Sequence, residues 1–184
     1  MFSQGAKAFY AYEPRTGKEL WRVESPTTHT TSTTPVSDGK LIYLCTGNTR
    51  GEVWAVRPGG KGVVTDTHIL WKYSRVAPMR PSLLLVDGLI YMVHDGGVAS
   101  CVETKTGNEV WRERVGGNYS ASPMFAEGRV YFFNEEGKGT VIEAGREWKP
   151  IATNQLGDGF MASAAVDGKA MFLRSRTHLY RVEK

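Results

Sequence analysis

The fold is decided by residues 87–111, which read DGLIYMVHDGGVASCVETKTGNEVW. Asp-Gly at the start of this stretch and Gly-Gly in its middle have the composition of tight hairpin turns, where glycine tolerates positive φ. Between the two turns, Leu89–Val93 is short, apolar and aromatic, as is typical of a β-strand. Val98–Glu103 and Glu109–Val115 continue the pattern, so consecutive antiparallel strands joined by hairpins are predicted.

The same pattern recurs about every 40 residues along the chain. An acidic residue followed by glycine begins at positions 38, 87, 127 and 167, and an apolar, aromatic strand follows each of them. Tryptophans at 21, 71, 111 and 148 recur at similar spacings of 50, 40 and 37 residues. Two independent markers with one period of ~40 residues predict a β-propeller built of four-stranded antiparallel blades.

The repeat predicts a single all-β propeller domain over residues 1–184, with 17 strands in about four blades. The predicted blades are residues 7–23 (partial), 31–74, 81–115, 120–154 and 161–184 (partial). The second blade is long because of the connection Pro58–His68. Its segment Gly59–Gly62 lacks the spacing of a phosphate-binding loop, and we expect a flexible loop.

Composition excludes several classes of protein. Glycine accounts for 21 of 184 residues and aromatics for 11%, which suits short strands and tight turns. The net charge is +4 with no run of five like charges, so no nucleic-acid-binding arm is expected. No apolar run approaches the ~20 residues of a membrane span, and the first residues lack the pattern of an export signal.

Two cysteines, Cys45 and Cys101, lie within apolar strand patterns. Buried free thiols are predicted there, with one disulfide as the alternative. The sequence contains no CxxC motif, which excludes a zinc ribbon or a thioredoxin-type site.

Two segments share a motif that ends in a Thr-Gly turn and a tryptophan. They are AYEPRTGKELW at 11–21 and CVETKTGNEVW at 101–111. The motif resembles the tryptophan-docking motif of PQQ-like (quinoprotein alcohol dehydrogenase-like) β-propellers, with Glu13 and Glu103 in place of the usual aspartate. The whole chain resembles the C-terminal half of such a protein, and two further copies of the motif are degraded.

The resemblance implies a structural role for the tryptophans and for the turn glycines. A planar indole on the outer strand buries much area against the next blade, and its N–H needs a carbonyl partner. The residues expected to dock one blade onto the next are Trp21, Trp71, Trp111, Trp148, Gly17 and Gly107.

Enzymes of this family hold the quinone near the ring axis, over a tryptophan floor, with a disulfide between adjacent cysteines and with Glu, Asn and Asp ligands for calcium. This sequence has no adjacent cysteines and no recognisable trio of calcium ligands. The histidines at 29, 68, 94 and 178 show no metal-ligand spacing, and no nucleophile motif is present. We therefore predict no catalytic, cofactor-binding or metal-binding residue, and PQQ and calcium are implied by the resemblance alone.

The loops on one face of the propeller form the candidate ligand surface, because loops on a rigid scaffold carry function. Its predicted residues are His29, Arg50, Arg75, Arg80, His94, Asn118, Tyr119, Phe160, Arg174 and Arg176. The five arginines could bind carboxylates, phosphate or glycans, or could be ordinary solvated charges. His94 and Asp95 could form an acid–base pair or simply a polar turn.

These features predict a non-catalytic scaffold that binds protein or peptide partners through a propeller face or exposed strand edges. The alternatives are a quinoprotein-like oxidoreductase with residues supplied by a missing half, and a glycan or small-molecule binder at the axial funnel. A second copy could close an eight-bladed ring, or the N-terminal strand pair could complete the last blade. The resemblance implies a periplasmic or extracellular location.

Overall fold

The computed structural model describes residues 1–5, 7–25, 32–47 and 51–183, and nearly all of its regular structure is β-strand. The strands are β1 (Phe2–Gln4), β2 (Ala8–Tyr12), β3 (Glu19–Glu24), β4 (Val36–Ser37), β5 (Ile42–Cys45), β6 (Val53–Val56), β7 (Gly62–Val63), β8 (Ile69–Tyr73), β9 (Leu84–Val86), β10 (Leu89–Val93), β11 (Val98–Glu103), β12 (Glu109–Arg114), β13 (Met124–Ala126), β14 (Arg129–Phe133), β15 (Lys138–Glu143), β16 (Pro150–Gln155), β17 (Ala165–Asp167), β18 (Ala170–Arg174) and β19 (Leu179–Glu183). One short helix, α1 (Thr65–His68), lies between β7 and β8. No helix in the described part of the chain is long and apolar enough to cross a membrane.

The strands form five separate sheets, which we call blades 1 to 5. Blade 2 has the strand order β4-β5-β6-β8, blade 3 has β9-β10-β11-β12 and blade 4 has β13-β14-β15-β16. Blade 1 consists of β1, β2 and β3 with β7 on its outer side, and blade 5 consists of β17, β18 and β19. Three complete blades between two partial ones confirm the predicted propeller of about four blades.

Two strands, β1 and β7, are additional to the 17 predicted. Neither has an extended apolar pattern of its own, and each is formed by pairing with blade 1. The N-terminal strands do not complete the last blade within one chain, because blades 1 and 5 are separate sheets.

The long connection in blade 2 pairs with blade 1. β7 runs parallel to β3, with Trp21 opposite Gly62. The Val64 N–H then donates to the Arg22 carbonyl oxygen at 2.9 Å, and the Glu24 N–H donates to Thr65 Oγ1 at 2.8 Å. The segment predicted as a flexible loop therefore ends in a strand, because the exposed outer edge of β3 supplies backbone partners that no local pattern reveals.

Each blade buries its apolar faces against its neighbours. Phe9 of blade 1 packs with Trp54 of blade 2, and Tyr43 of blade 2 belongs to one buried cluster with Met92 of blade 3. A third cluster joins blades 3 and 4. This face-to-face burial follows from the alternation of side chains along each strand, because a small sheet cannot cover both of its own faces.

An indole ring on the outer strand makes the specific contact between blades 2 and 3. Trp71 Nε1 donates to the Thr104 carbonyl oxygen at 2.9 Å. Its ring lies directly on Gly107, where an added Cβ would come within 2.5 Å of Trp71 Cε3. Gly107 has φ of +70°, so this hairpin needs glycine both for its backbone and for the approach of the ring.

Blades 3 and 4 repeat the contact with different chemistry. Trp111 Nε1 donates to the Gly145 carbonyl oxygen at 3.3 Å. Trp148 packs against Trp111 with a centroid distance of 5.0 Å and an interplanar angle of 63°. Tyr91 adds a hydrogen bond, because its hydroxyl oxygen accepts from the Gly145 N–H at 2.7 Å.

The register shows where the docking position lies in each blade. Trp21, Trp71 and Trp111 pair with Ala11, Ala55 and Cys101, each on the neighbouring inner strand of its blade. In blade 4 the equivalent pair is Val141 and Ala152. Trp148 differs from its predicted placement, because it precedes the fourth strand, which begins at Pro150 rather than at Glu147.

The two predicted turn glycines have different surroundings. Gly17 has φ of +69°, almost the value of Gly107, but no described atom lies within 4 Å of the position of an added Cβ. Trp21 packs against Phe2, with a centroid distance of 5.6 Å, and shares a cluster with Val64 from the blade 2 connection. The connection of blade 2 therefore contacts Trp21 in the way that a Thr-Gly hairpin, which blade 2 lacks, contacts the docking tryptophan elsewhere.

Cys45 and Cys101 are buried and unpaired. Cys45 lies in β5, in the cluster between blades 2 and 3, and Cys101 lies in β11, in the cluster between blades 3 and 4. Burial raises the pKa of each thiol to about 12.

We predict that Gly107→Ala destabilises the protein by about 1–3 kcal/mol more than Gly17→Ala. Both substitutions place a side chain at a positive φ near 70°, but only Gly107→Ala drives a methyl group into an indole ring. Urea unfolding followed by fluorescence measures the difference. Equal destabilisation by the two variants would contradict the described contact between Trp71 and Gly107.

Stability should fall as the pH rises from about 9 to about 12. The pKa of each thiol is near its ordinary value of 9.0 in the unfolded chain and about 12 in the folded chain. The folded state therefore retains protons that the unfolded state has released, and each thiol contributes a slope of about −1.4 kcal/mol per pH unit in this range. Chemical unfolding at several pH values should show a shallower slope for a variant with Cys45→Ala and Cys101→Ala, and an unchanged slope would refute the assignment.

Candidate functional site

The candidate site is the rim formed by the connections between blades and by the turns between second and third strands. These turns are residues 94–97 in blade 3, 134–137 in blade 4 and 175–178 in blade 5. The turns of blades 3 and 4 are each hydrogen-bonded to the connection that leads into the next blade: the Tyr119 N–H donates to the Asp95 carbonyl oxygen at 2.9 Å, and the Phe160 N–H donates to that of Asn134 at 3.0 Å. The rim is therefore an interlocked surface rather than a set of independent loops.

Arg80, in the connection between blades 2 and 3, is the centre of a charged network that reaches the turns of blades 3 and 4. Its Nε lies 2.6 Å from Asp95 Oδ1, and its Nη1 lies 2.9 Å from Glu135 Oε1. Nη1 also donates to Ser120 Oγ at 2.7 Å, and the Met79 N–H donates to Asp95 Oδ2 at 2.7 Å. The hydrogen bond to Asp95 is the main cause of the raised pKa of Arg80. Asp95 is buried, so the arginine compensates a charge that water cannot reach.

The proposed acid–base pair of His94 and Asp95 is not assembled. His94 Nδ1 accepts a hydrogen bond from the Gly96 N–H at 3.0 Å, which closes its own turn. Asp95 is bound to Arg80 and to the backbone of Met79. The pair is therefore a polar turn, the second of the two sequence-based interpretations.

Three other predicted rim residues also hold the structure together. Tyr119 and Phe160 are buried, with 0% and 2% of their surface exposed, and so cannot present their rings to a ligand. Burial raises the pKa of the Tyr119 hydroxyl to about 12. Asn118 is exposed, but both its backbone N–H and its side-chain Nδ2 donate to the Glu136 carboxylate.

The remaining arginines differ in how free their side chains are. Arg75 lies 3.3 Å from Glu109 Oε1 and is largely exposed. Arg174 and Arg176 are exposed, and no side-chain hydrogen bond or ion pair involves them in the described part of the chain. They border a cavity of about 400 Å³ together with Met161. His29 and Arg50 lie outside the described residues.

A chain of hydroxyl groups joins the inner ends of the blades, and sequence reasoning missed it. The Thr34 N–H donates to Ser82 Oγ, the Ser82 N–H to Ser122 Oγ, and the Ser122 N–H to Ser163 Oγ, each at 2.9 Å. The serines recur at spacings of 40 and 41 residues, directly before the inner strands. That periodicity could have revealed them, but a single serine carries too weak a local signal.

The predicted absence of cofactor- and metal-binding residues stays a prediction. No three His, Cys, Asp or Glu side chains among them converge on a common point. Cys45 and Cys101 lie on different blades and cannot form the disulfide of adjacent cysteines. The indoles of Trp71 and Trp111 are engaged between blades rather than stacked on the axis.

Comparisons with known proteins agree with this architecture. Residues 51–183 match the family described as outer membrane protein assembly factor BamB. The crystal structure of BamB from Moraxella catarrhalis is similar over 100% of this chain and 57% of its own, with a TM-score of 0.71 and 13% identity. A europium-containing methanol dehydrogenase is similar over 66% of this chain and 24% of its own, with a TM-score of 0.54 and 16% identity. No curated protein matches the chain.

The chain thus spans little more than half the length of the BamB structure that it resembles. Because both structural relatives are below 25% identity, their similarity establishes the propeller fold and leaves the chemistry of the site to the residues described above.

We predict that Arg80→Met destabilises the protein by about 1–3 kcal/mol, because it leaves the Asp95 carboxylate buried without a counter-charge. Adding Asp95→Asn should recover part of this loss. Arg75→Met is the matched control and should change stability by less than about 0.5 kcal/mol, since its ion pair is exposed. Urea unfolding distinguishes these outcomes, and equal effects of Arg80→Met and Arg75→Met would contradict a structural role for the network.

Proposed function

The chain belongs to the family of the outer membrane protein assembly factor BamB, and from this premise we propose that it is a non-catalytic scaffold that binds protein or peptide partners. One observation carries the proposal. His94 and Asp95 are held by other groups of the rim rather than by each other, whereas Arg174 and Arg176 are exposed with unengaged side chains in the described structure. Such a surface is suited to recognition rather than to catalysis.

The chemistry of these arginines indicates the kind of partner. A guanidinium group binds a carboxylate through two parallel hydrogen bonds, and two such groups close together favour an acidic segment. The neighbouring Met161 is about half exposed and adds an apolar contact. We propose that the rim binds an acidic, partly apolar segment of a partner protein.

The family description names an assembly factor for outer membrane proteins. For this chain we propose the corresponding place of action, at the periplasm or the cell surface, and partners among the proteins assembled there. No nucleic-acid partner is proposed, because the positive charges are dispersed along the chain.

A homodimer that closes a larger ring is a further part of the proposal. Blades 1 and 5 are the first and last of the five sheets, and no buried cluster of the described residues joins them, so each presents a sheet face without a described neighbour. Pairing of two copies would cover these faces. Light scattering at micromolar concentration tests this, and a stable monomer of about 20 kDa, the mass of one chain, would refute the dimer.

We predict that Arg174→Glu with Arg176→Glu weakens the capture of partner proteins from cell-envelope extracts at least tenfold, because the charge reversal repels acidic segments. The matched control is Lys40→Glu with Lys105→Glu, which changes the net charge equally at exposed turns away from the rim. Quantitative mass spectrometry of captured proteins measures both. Equal loss in the two double variants would show that only net charge matters and would refute the rim site.

The non-catalytic assignment has its own test. The purified protein is mixed with PQQ and calcium, and quinone absorbance and dye reduction are followed with simple alcohols as substrates. We expect no reduction above the rate of the protein-free mixture. Reduction above that rate would overturn the scaffold proposal in favour of a quinoprotein-like oxidoreductase.

A further inference from the structure

The turn that presents the unengaged arginines of the rim also carries a histidine and faces an aspartate. His178 is the last residue of the turn 175–178, and its side chain is 68% exposed. Asp158 lies in the connection between blades 4 and 5, and its Oδ2 atom lies 3.9 Å from His178 Nδ1. Phe160 of the same connection forms an isolated β-bridge with Ser175, which holds connection and turn side by side. Two titratable side chains therefore lie beside the arginines of the proposed site.

Hydrogen bonds within the turn fix the backbone position of His178. The Ser175 N–H donates to the His178 carbonyl oxygen at 2.9 Å, and the His178 N–H donates back to Ser175 Oγ at 3.0 Å. Ser175 is buried, and it borders the cavity of about 400 Å³ that Arg174 and Arg176 line. The histidine is therefore attached at a fixed place on the hairpin that presents both arginines.

A threonine hydroxyl group lies between the imidazole and the carboxylate. Thr177 Oγ1 donates to Asp158 Oδ2 and lies 2.6 Å from His178 Nδ1. A hydroxyl group has one proton to donate, so Oγ1 accepts a hydrogen bond from Nδ1–H when it donates to the carboxylate. Nε2 is then the nitrogen that gains a proton when the ring becomes charged. Because the side chain is largely exposed, water can deliver this proton without any rearrangement of the turn.

The charges around the imidazole decide what its protonation does. In the connection (156–160) and in the end of β18 with its turn (174–178), the permanently charged side chains are the two arginines and Asp158. Their net charge is +1, and protonation of His178 raises it to +2. Tyr180 of β19 also contacts the imidazole, with a centroid distance of 5.7 Å. Phenol and guanidinium groups do not titrate between about pH 6 and 8, and carboxylates are ionised there, so the histidine is the group that changes its charge.

We propose that His178 is a third, pH-dependent cation of the rim site, which makes the site bind acidic segments more tightly as the pH falls below neutrality. With His178 neutral, Asp158 offsets one of the two arginines. With His178 protonated, the imidazolium offsets Asp158, and both arginines are left to the carboxylates of the partner. The inference rests on the proposed function, whose site it keeps and to which it adds regulation by pH.

The test uses the peptide Asp-Leu-Glu-Leu-Asp as probe, with a rhodamine label at its N-terminus and an amide at its C-terminus. Fluorescence anisotropy at low ionic strength gives its Kd at about pH 8 and about pH 6. We expect the Kd to be at least threefold lower at the lower pH. One added unit charge at about 8 Å favours the binding of each carboxylate about twofold even at the dielectric constant of water, and the peptide carries several.

His178→Gln is the decisive variant. It should bind the peptide at pH 8 within about twofold of the original affinity and should lose the pH dependence. His68→Gln is the matched control, because His68 Nδ1 likewise lies 2.8 Å from the hydroxyl oxygen of the preceding threonine, Thr67. His68 lies in α1, and no ion pair involves it in the described part of the chain, so this variant should keep the full pH dependence.

Asp158→Asn tests the part assigned to the carboxylate. The amide oxygen can still accept from the Thr177 hydroxyl group, so the turn keeps its contact with the connection, while the negative charge is lost. We expect this variant to bind the peptide at least twofold more tightly than the original protein at pH 8. Unchanged or weaker binding there would contradict the role of Asp158.

Equal affinity of the original protein at both pH values, pH dependence that persists in His178→Gln, or its loss in His68→Gln would overturn the inference. If the affinity is equal at both pH values but falls in Arg174→Glu with Arg176→Glu, only the role of His178 fails and the rim site of the proposed function stands. If the peptide does not bind at millimolar concentration at either pH, the inference fails together with the acidic-segment proposal.

Discussion

The packing of an indole ring on the backbone of the next blade is the contact on which the rest of the structure depends. A single four-stranded sheet cannot bury both of its faces, so each blade is stable only against its neighbours. Trp71 fulfils this need with a flat ring over Gly107 and a hydrogen bond to the Thr104 carbonyl oxygen. The contact combines apolar burial with satisfaction of a polar N–H, and it fixes the distance between adjacent sheets.

The chain uses this contact in three different ways. Trp71 meets a Thr-Gly hairpin, and Trp111 meets the Gly145 carbonyl and the ring of Trp148. Trp21 meets the connection of blade 2, which pairs with β3 because it has no such hairpin to offer. In blade 4 the ring is replaced by Ala152, and the neighbouring interface is correspondingly open. Among the described residues, the interface between blades 4 and 5 has the smallest buried cluster of the four interfaces.

The arginines of the rim have the same side chain but different surroundings. The sequence does not distinguish Arg80 from Arg174, yet Arg80 neutralises the buried Asp95 and links the turns of blades 3 and 4. Arg174 and Arg176 extend into solvent with unengaged side chains in the described structure. The proposed recognition role of the rim depends on this difference between paired and unengaged arginines.

The sequence by itself determined the blade repeat, because hairpin turns and alternating apolar strands are local features. Leu89–Val93, Val98–Glu103 and Leu179–Glu183 have the predicted bounds, and the family resemblance was visible in the Thr-Gly and tryptophan spacing. Only the tertiary structure decided which residue occupies each docking position. Trp148 has nearly the right spacing, but the strand register assigns the position to Ala152. Three features depend on groups that are distant in sequence: the strand register of blade 4, the pairing of β7 with β3 and the partners of Arg80. The packing of one blade against the next determines all three.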